Sequence, residues 1–356
     1  MKNRITSAIS LTIFSIALVV ASLIPSASEE KSPAVKTGVA ISASVKDSKD
    51  ATAEAGLSKA AITVATVTVD EKGKVVSCKI DALDVEINFN EKGVITTDLT
   101  AEVLTKKEKG FEYGMTADWN TSNKIGKEWF EQVEVFEKYC IGKTAEQITG
   151  ITVNAETGLP DDADLAAGCT MHPAQFQYLV AEAITNATKL GATEEDKLGL
   201  AISTKLSDSK DANATPAEGE SGDGLVSVAT TIAVTTVNKD GKVTSALIDT
   251  IQADVTFDVT GKITSDLNAD ILTKKEQGFD YGMAADWNTS NKIGKEWFEQ
   301  IAVFEKYCTG KTSEQILGIT VNAETGLADD ADLAAGCTMH PAQFQYVVSE
   351  AIGNAK

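Results

Sequence analysis

The chain has 356 residues, and its 52 acidic and 32 basic side chains leave a formal charge of −20, with only two histidines. This length suggests two or three domains of ordinary size, each able to bury a core. Such a charge repels phosphate backbones and acidic lipid surfaces, so nucleic-acid binding is excluded, and two histidines rule out a His-rich metal enzyme.

Lys2 and Arg4 precede an uncharged apolar run, Ile5 to Ile24, and then Pro25-Ser26-Ala27-Ser28. The pattern is that of an export signal over 1–28, either cleaved near Ser28 or retained as an N-terminal membrane anchor. The mature chain is expected at the extracellular face of the cytoplasmic membrane or secreted. Cys78, Cys140, Cys169, Cys308 and Cys337 are odd in number. A Cys140–Cys169 bridge with a Cys308–Cys337 counterpart is one arithmetic option, and five reduced thiols is the other.

From there the chain repeats itself. At an offset of 168, Ala101–Ile184 lies on Ala269–Ile352 with 71 identities in 84 positions; the preceding Lys59–Thr100 and Ser227–Asn268 share 17 in 42. Two domains are therefore expected, 34–188 and 196–356, joined by a polar linker over 189–195. In each, β-branched runs come first (Val39–Ser42, Ile62–Val67, Val85–Phe89), separated by Asp70–Gly73 and Asn90–Gly93 turn signals. They predict an antiparallel meander. The period then changes. Ile125, Trp129, Val133, Phe136 and Cys140 share one helical face, Thr144-Ala145-Glu146-Gln147 has the form of a capping box, and Pro173 opens a last helix over 174–188. Strands followed by helices give the α+β class.

The chemistry-bearing segment precedes that last helix. Asp161-Asp162-Ala163-Asp164-Leu165-Ala166-Ala167-Gly168-Cys169-Thr170-Met171-His172 recurs unchanged from Asp329 to His340. It sets one hydroxyl, Thr170 or Thr338, among small residues just ahead of a helix N-terminus, where phosphate is favoured. Gly168 and Gly336 allow close approach of backbone or ligand. Asp164 and Asp332 can orient the hydroxyl or help hold a cation. The plainer alternative is a small-residue turn leading into a helix.

The pattern Asp-x-x-Ala-Gly-Cys-Thr, carried by Asp164, Gly168, Cys169 and Thr170 and again by Asp332, Gly336, Cys337 and Thr338, resembles the flavinylation motif of the FMN-binding domain family. Tyr113-Gly114-Met115, Gly126-Lys127-Glu128-Trp129 and Gly142-Lys143-Thr144 extend the likeness. Together with the double repeat and the export signal, they resemble the two-domain extracellular FMN proteins of Gram-positive flavin-based electron transfer, including the pheromone-precursor lipoprotein type. Ala167 and Ala335 stand where that family often has Ser or Thr, cysteine replaces its usual alanine, and there is no lipobox cysteine.

The resemblance implies two FMN groups, each joined to threonine through a phosphoester by an FAD-dependent flavin transferase that uses a divalent cation. It implies a redox carrier rather than a substrate-specific enzyme, fed by a membrane electron-donor flavoprotein linked to quinol and discharging to an extracellular electron acceptor. Tyr113, Met115 and Trp119, with Tyr281, Met283 and Trp287, are candidates to cover the flavin ring, or else pack in the core. Lys106, Lys107, Lys274 and Lys275 are candidate phosphate partners, or else a solvated face. Two other readings remain: a cofactor-free repeated surface or binding module, and an extracellular flavin-dependent reductase of a small substrate.

Overall fold

A computed structural model describes residues 32–52, 55–117, 125–285 and 293–356. The segment read as an export signal, 1–28, and Trp119 and Trp287 lie outside the described residues. The first repeat runs β1 (Lys36–Ser44), β2 (Gly56–Val69), β3 (Val75–Phe89), α1 (Lys106–Lys109), a 3-10 turn (Gly110–Tyr113), α2 (Trp129–Cys140), α3 (Ala145–Thr149), α4 (Ala163–Ala166) and α5 (Ala174–Thr185). The second repeats the order with β4 (Lys197–Lys205), β5 (Gly224–Val237), β6 (Val243–Phe257), α6 (Lys274–Gln277), a 3-10 turn (Gly278–Tyr281), α7 (Trp297–Cys308), α8 (Ser313–Leu317), α9 (Ala331–Gly336) and α10 (Ala342–Gly353). This is an α+β chain of two three-stranded antiparallel sheets, ordered β1-β2-β3 and β4-β5-β6, each followed by helices.

Local chemistry explains most boundaries. The β2–β3 turn closes because Asp70 Oδ1 accepts from the Lys72 and Lys74 amides, both at 2.8 Å, and Gly73 takes φ 74°. Thr144 and Gln147 form the expected reciprocal cap of α3. The helical face read from Ile125 begins only at Trp129. Gly126 holds φ 63°, and Glu128 caps α2 reciprocally with Glu131. The last helix stops at Thr185, short of the expected 188, because Thr188 exchanges both backbone hydrogen bonds with Thr37 of β1 at 2.9 and 3.0 Å. The segment read as a linker is likewise pinned, with Val35 N donating to Ala192 O at 3.0 Å. Helix α5 lies directly on β1: a Cβ at Gly38 would fall 2.0 Å from Ala183 O.

Each sheet is covered on both faces. In repeat 1, Ala65, Val67, Val69, Cys78, Ile80 and Ala82 face a helical core with Trp129, Val133, Phe136 and Val180. Repeat 2 has an equivalent core around Trp297, Phe304 and Val348. The opposite faces (Ile62, Val64, Leu83, Val85, Ile87 and Phe89, against Leu198, Leu200, Val226, Val228, Val255 and Phe257) form a third core made by both repeats. At its centre the Phe89 and Phe257 rings stack 4.2 Å apart and 8° from parallel. Reciprocal hydrogen bonds flank it. Ala51 N donates to Gly261 O and Ala212 N to Gly93 O, both at 2.8 Å, while Asp50 and Asp211 accept from Ile263 N and Ile95 N. Pro33–Lys356 consequently forms one compact unit.

Of the two cysteine options, the structure has the reduced one. All five thiols are free and buried. Cys140 meets Cys78, not Cys169, and their hydrogen bond together with burial pushes the Cys78 thiol well above its ordinary range. Repeat 2 has Ala246 where repeat 1 has Cys78.

Two related cavities lie where the repeats meet. One, of about 310 Å³, is lined by Lys79, Asp81, Lys107, Leu200, Ile202 and Asn354; its counterpart, of about 290 Å³, by Val39, Ile41, Asn186, Asp249 and Lys275. Burial pushes both Asp81 and Asp249 up from 3.8 to about 6, against the pull of Lys107 or Lys275 and a hydrogen bond to Thr105 or Thr273. Each Oδ1 accepts two backbone amides, at 2.8 and 3.2 Å.

Two expectations follow from this architecture. Residues 34–190 alone retain their helical core but expose the inner sheet face, so they should self-associate as a dimer, with Phe89→Ala restoring the monomer. Size-exclusion with light scattering checks this, and a monomeric parental half would contradict it. The second concerns pH. A carboxyl with a raised folded pKa is neutral in both states below about 3.8. As pH rises toward 6 only the unfolded form ionises freely, so stability is lost across that window. Asn retains the accepting oxygen. The double variant Asp81→Asn, Asp249→Asn should therefore gain stability over the parent as pH rises from 4 to 7, by at most about 3 kcal/mol per site. Urea unfolding at four pH values measures it, and a gap that does not change with pH would refute it.

Candidate functional site

Thr170 lies in the short loop between α4 and α5, and Thr338 between α9 and α10. Asp162 caps α4 by accepting from the Asp164 and Leu165 amides, both at 3.1 Å, and receives Tyr139 Oη at 2.8 Å. The Leu165 amide first, then the phenol, hold the Asp162 carboxyl below its ordinary range. Leu165, Gly168 and Cys169 are buried, which leaves Thr170 and Met171 half-buried at the rim.

The hydroxyl is held from beneath by a residue that the sequence reading passed over. Gln132 of α2 is fully buried. Its Oε1 accepts from both Thr170 N at 2.9 Å and Thr170 Oγ1 at 3.1 Å. Its Nε2 donates to Lys127 O at 2.9 Å and approaches Met115 Sδ at 3.6 Å. Gln300 repeats every contact, at 2.8, 3.1, 2.9 and 3.6 Å, with Thr338, Lys295 and Met283. A polar residue on the helical face set by Trp129, Val133 and Phe136 was the available signal.

One turn earlier, Glu128 is equally buried and accepts from Met115 N at 2.8 Å and Thr116 N at 2.9 Å. Burial pushes its carboxyl up, but hydrogen bonds from Thr116, Met115 and Trp129 outweigh burial and hold it below the ordinary range. Glu296 binds Met283 N and Ala284 N in the same way, and Ala284 lacks the Thr116 hydroxyl.

The structure therefore brings Met115 and Thr170 to one glutamine, and Met283 and Thr338 to another. Tyr113 and Tyr281 are half-buried at the ends of the 3-10 turns, packed beside Met115 and Met283 on the helical cores. Lys106 Nζ lies 5.3 Å from the Tyr113 ring centre and 5.8 Å from Trp129; Lys274 lies 4.9 Å from Tyr281 and 5.6 Å from Trp297. Lys106 also pairs with Asp84 at 2.9 Å. Lys107 and Lys275 are engaged by Glu137 and Glu305 and line the inter-repeat cavities instead. Asp164 and Asp332 are exposed at the starts of α4 and α9. Burial raises the Cys169 and Cys337 thiols, so these are packing residues facing inward.

At Gly168 the close approach that the structure shows is to α2. A Cβ there would sit 2.8 Å from Val135 Cγ1, and at Gly336 the same distance from Val303 Cγ1. The glycine lets the Thr170 turn press against α2, which brings Thr170 within reach of Gln132. Gly168→Ala should cost about 1–3 kcal/mol of stability by overpacking. Val135 is stiff at χ1, so relief requires trimming it. In a double-variant cycle, Val135→Ala should recover much of that loss; strict additivity would show that the contact is not the cause.

No protein-family model, curated protein or solved structure matches this chain.

Proposed function

We propose that this chain is an exported electron-transfer flavoprotein carrying one FMN per repeat, joined by phosphoester to Thr170 and Thr338. The observation that carries this reading is the paired Gln–Thr clamp. In both repeats a rim hydroxyl with small neighbours donates its proton to a buried amide oxygen. Its lone pairs are thereby turned away from the protein body. Nothing but rotamer choice in a threonine is needed to present that oxygen to an outside enzyme. The loop continues into α5, whose N-terminal partial charge favours a phosphate by roughly 0.3–1 kcal/mol.

The chain's own residues fit the group on three counts. Thr170 offers the oxygen. Met115 and Tyr113 lie on the same side of α2 as partly buried apolar surface. Lys106, over the Tyr113 ring, adds a polar neighbour to that surface, its charge paired with Asp84 at 2.9 Å. When bound, the isoalloxazine ring supplies the redox chemistry, and the protein supplies attachment, orientation and electrostatic tuning. Covalent attachment suits an exported carrier because a dissociating cofactor would be lost to dilution. A transferase using FAD and a divalent cation, a membrane flavoprotein donor and an extracellular acceptor complete the reading. The cavities between the repeats favour a second one, a cofactor-free binding module, and the same experiment separates the two.

The chain is co-produced with a flavin transferase, denatured in acid and measured by intact mass and visible absorbance. Two covalent flavins are expected on the parent, one on Thr170→Val, one on Thr338→Val and none on the double variant. Valine keeps the β-branched shape and removes the nucleophile, so folding should survive with a loss of about 1 kcal/mol per lost hydrogen bond. Two flavins retained by the double variant, or a colourless parent, would sink the proposal.

A further inference from the structure

We infer that Gln132 and Gln300 are positioning residues for the covalent modification of Thr170 and Thr338, an inference that rests on the acceptor reading above. A primary amide has two donor hydrogens and two accepting lone pairs. Gln132 places all four. Its nitrogen faces Lys127 O and Met115 Sδ, and its oxygen takes the amide and hydroxyl protons of one residue, Thr170. The Lys127 carbonyl can only accept, so the amide cannot turn over, and the oxygen always faces the threonine. Two bonds from one residue to one oxygen keep N and Oγ1 on the same side and so restrict χ1. The hydroxyl proton points inward, and the nucleophilic lone pairs point out.

The reaction served is a group transfer. Oγ1 of Thr170 bonds to the flavin-side phosphorus of FAD, the pyrophosphate P–O bond breaks, and AMP leaves with the bridging oxygen. The hydroxyl proton passes to a base of the transferase. An amide is no base at neutral pH, so Gln132 contributes orientation alone, holding one rotamer of a group that otherwise samples three.

Burial supports a dedicated role. Gln132 and Gln300 are both fully buried within apolar helix faces. An amide there without its partners would leave buried donors and acceptors unsatisfied, which is costly. Each repeat keeps the full set with distances that agree within 0.1 Å.

The test uses the full chain, in which Thr338 is the internal control for Thr170. Gln132→Met matches the shape without the accepting oxygen; Gln132→Glu restores that oxygen and, in the neutral acid form that a buried site against the Lys127 carbonyl selects, a donor to that carbonyl as well. Purified transferase, FAD and Mg²⁺ are added, and site-resolved peptide mass follows loading at each threonine over time. Positioning predicts that Gln132→Met lowers kcat for Thr170 by about tenfold or more with KM for the acceptor chain unchanged, Thr338 loading at its parental rate, and Gln132→Glu recovering most of the loss. Parental Thr170 loading in Gln132→Met would overturn the inference. So would a loss that appears only as a higher KM and a lower melting temperature without recovery in Gln132→Glu, since that is the signature of a purely structural anchor. If the parental chain takes flavin on neither threonine, the acceptor reading itself fails.

Discussion

The molecule is organised by the burial of two inner sheet faces against each other. A three-stranded sheet with helices on one face still has a second apolar face to cover, and here each repeat covers the other's. Phe89 and Phe257 stack at the centre, and reciprocal hydrogen bonds from the Gly93 and Gly261 turns close the edges. This is why eight consecutive residues, Ile62 to Val69, are buried in a strand whose side chains alternate between faces. Ile62 and Val64 meet the other repeat, while Ala65, Val67 and Val69 meet the helices.

That arrangement separates two kinds of demand on the sequence. The helical layer carries Glu128, Gln132 and the Thr170 turn, and each repeat must build it unaided. It is the part with 71 identities in 84 positions. The strands meet a partner that is not identical to themselves, so matched changes are tolerated on the two sides. Strand differences reach each repeat's own helical side as well: Cys78 faces Cys140 where Ala246 leaves Cys308 without a thiol partner, and Asp84 pairs with Lys106 where Gln252 leaves Lys274 over its aromatic rings alone among the described residues. Packing against an unlike partner accounts for freedom in the strands. It does not by itself account for how few differences the helical halves show.

Local signals in the sequence were sufficient for what local chemistry determines. The Asp70 turn, the Thr144 cap and the change from period two to helical period all have their causes within a few residues. Three features depend on what lies across the fold. Alternation in Ile62–Val67 shows that a face is apolar but not what covers it, so the shared core was invisible. Cysteine counting left the thiols' neighbours open, and it is the sheet that brings Cys78 to Cys140. Gly168 signalled a close approach, but not that Val135, 33 positions earlier in the chain, makes it. Gln132 was legible in principle: a glutamine in register with Trp129 and Phe136 must find partners inside.

The ionisable groups divide along the same lines as the packing. Glu128 and Asp162, which brace the helical layer beside the Thr170 turn, are held below their ordinary range. Their contribution is present above the unfolded carboxyl pKa and fades as pH falls. Asp81 and Asp249, at the meeting of the repeats, are raised to about 6, and their neutral forms favour folding below that pH. Near neutrality the scaffold of the Thr170 turn is therefore at full strength while the inter-repeat contacts hold buried carboxylates. Acid shifts the balance the other way, loosening the caps while easing the interface. One melting curve sums these opposed terms, so a nearly flat pH profile would reflect their cancellation rather than an absence of titrating groups. The two contributions act through different side chains, and an asparagine at the interface leaves the glutamate beneath the turn untouched.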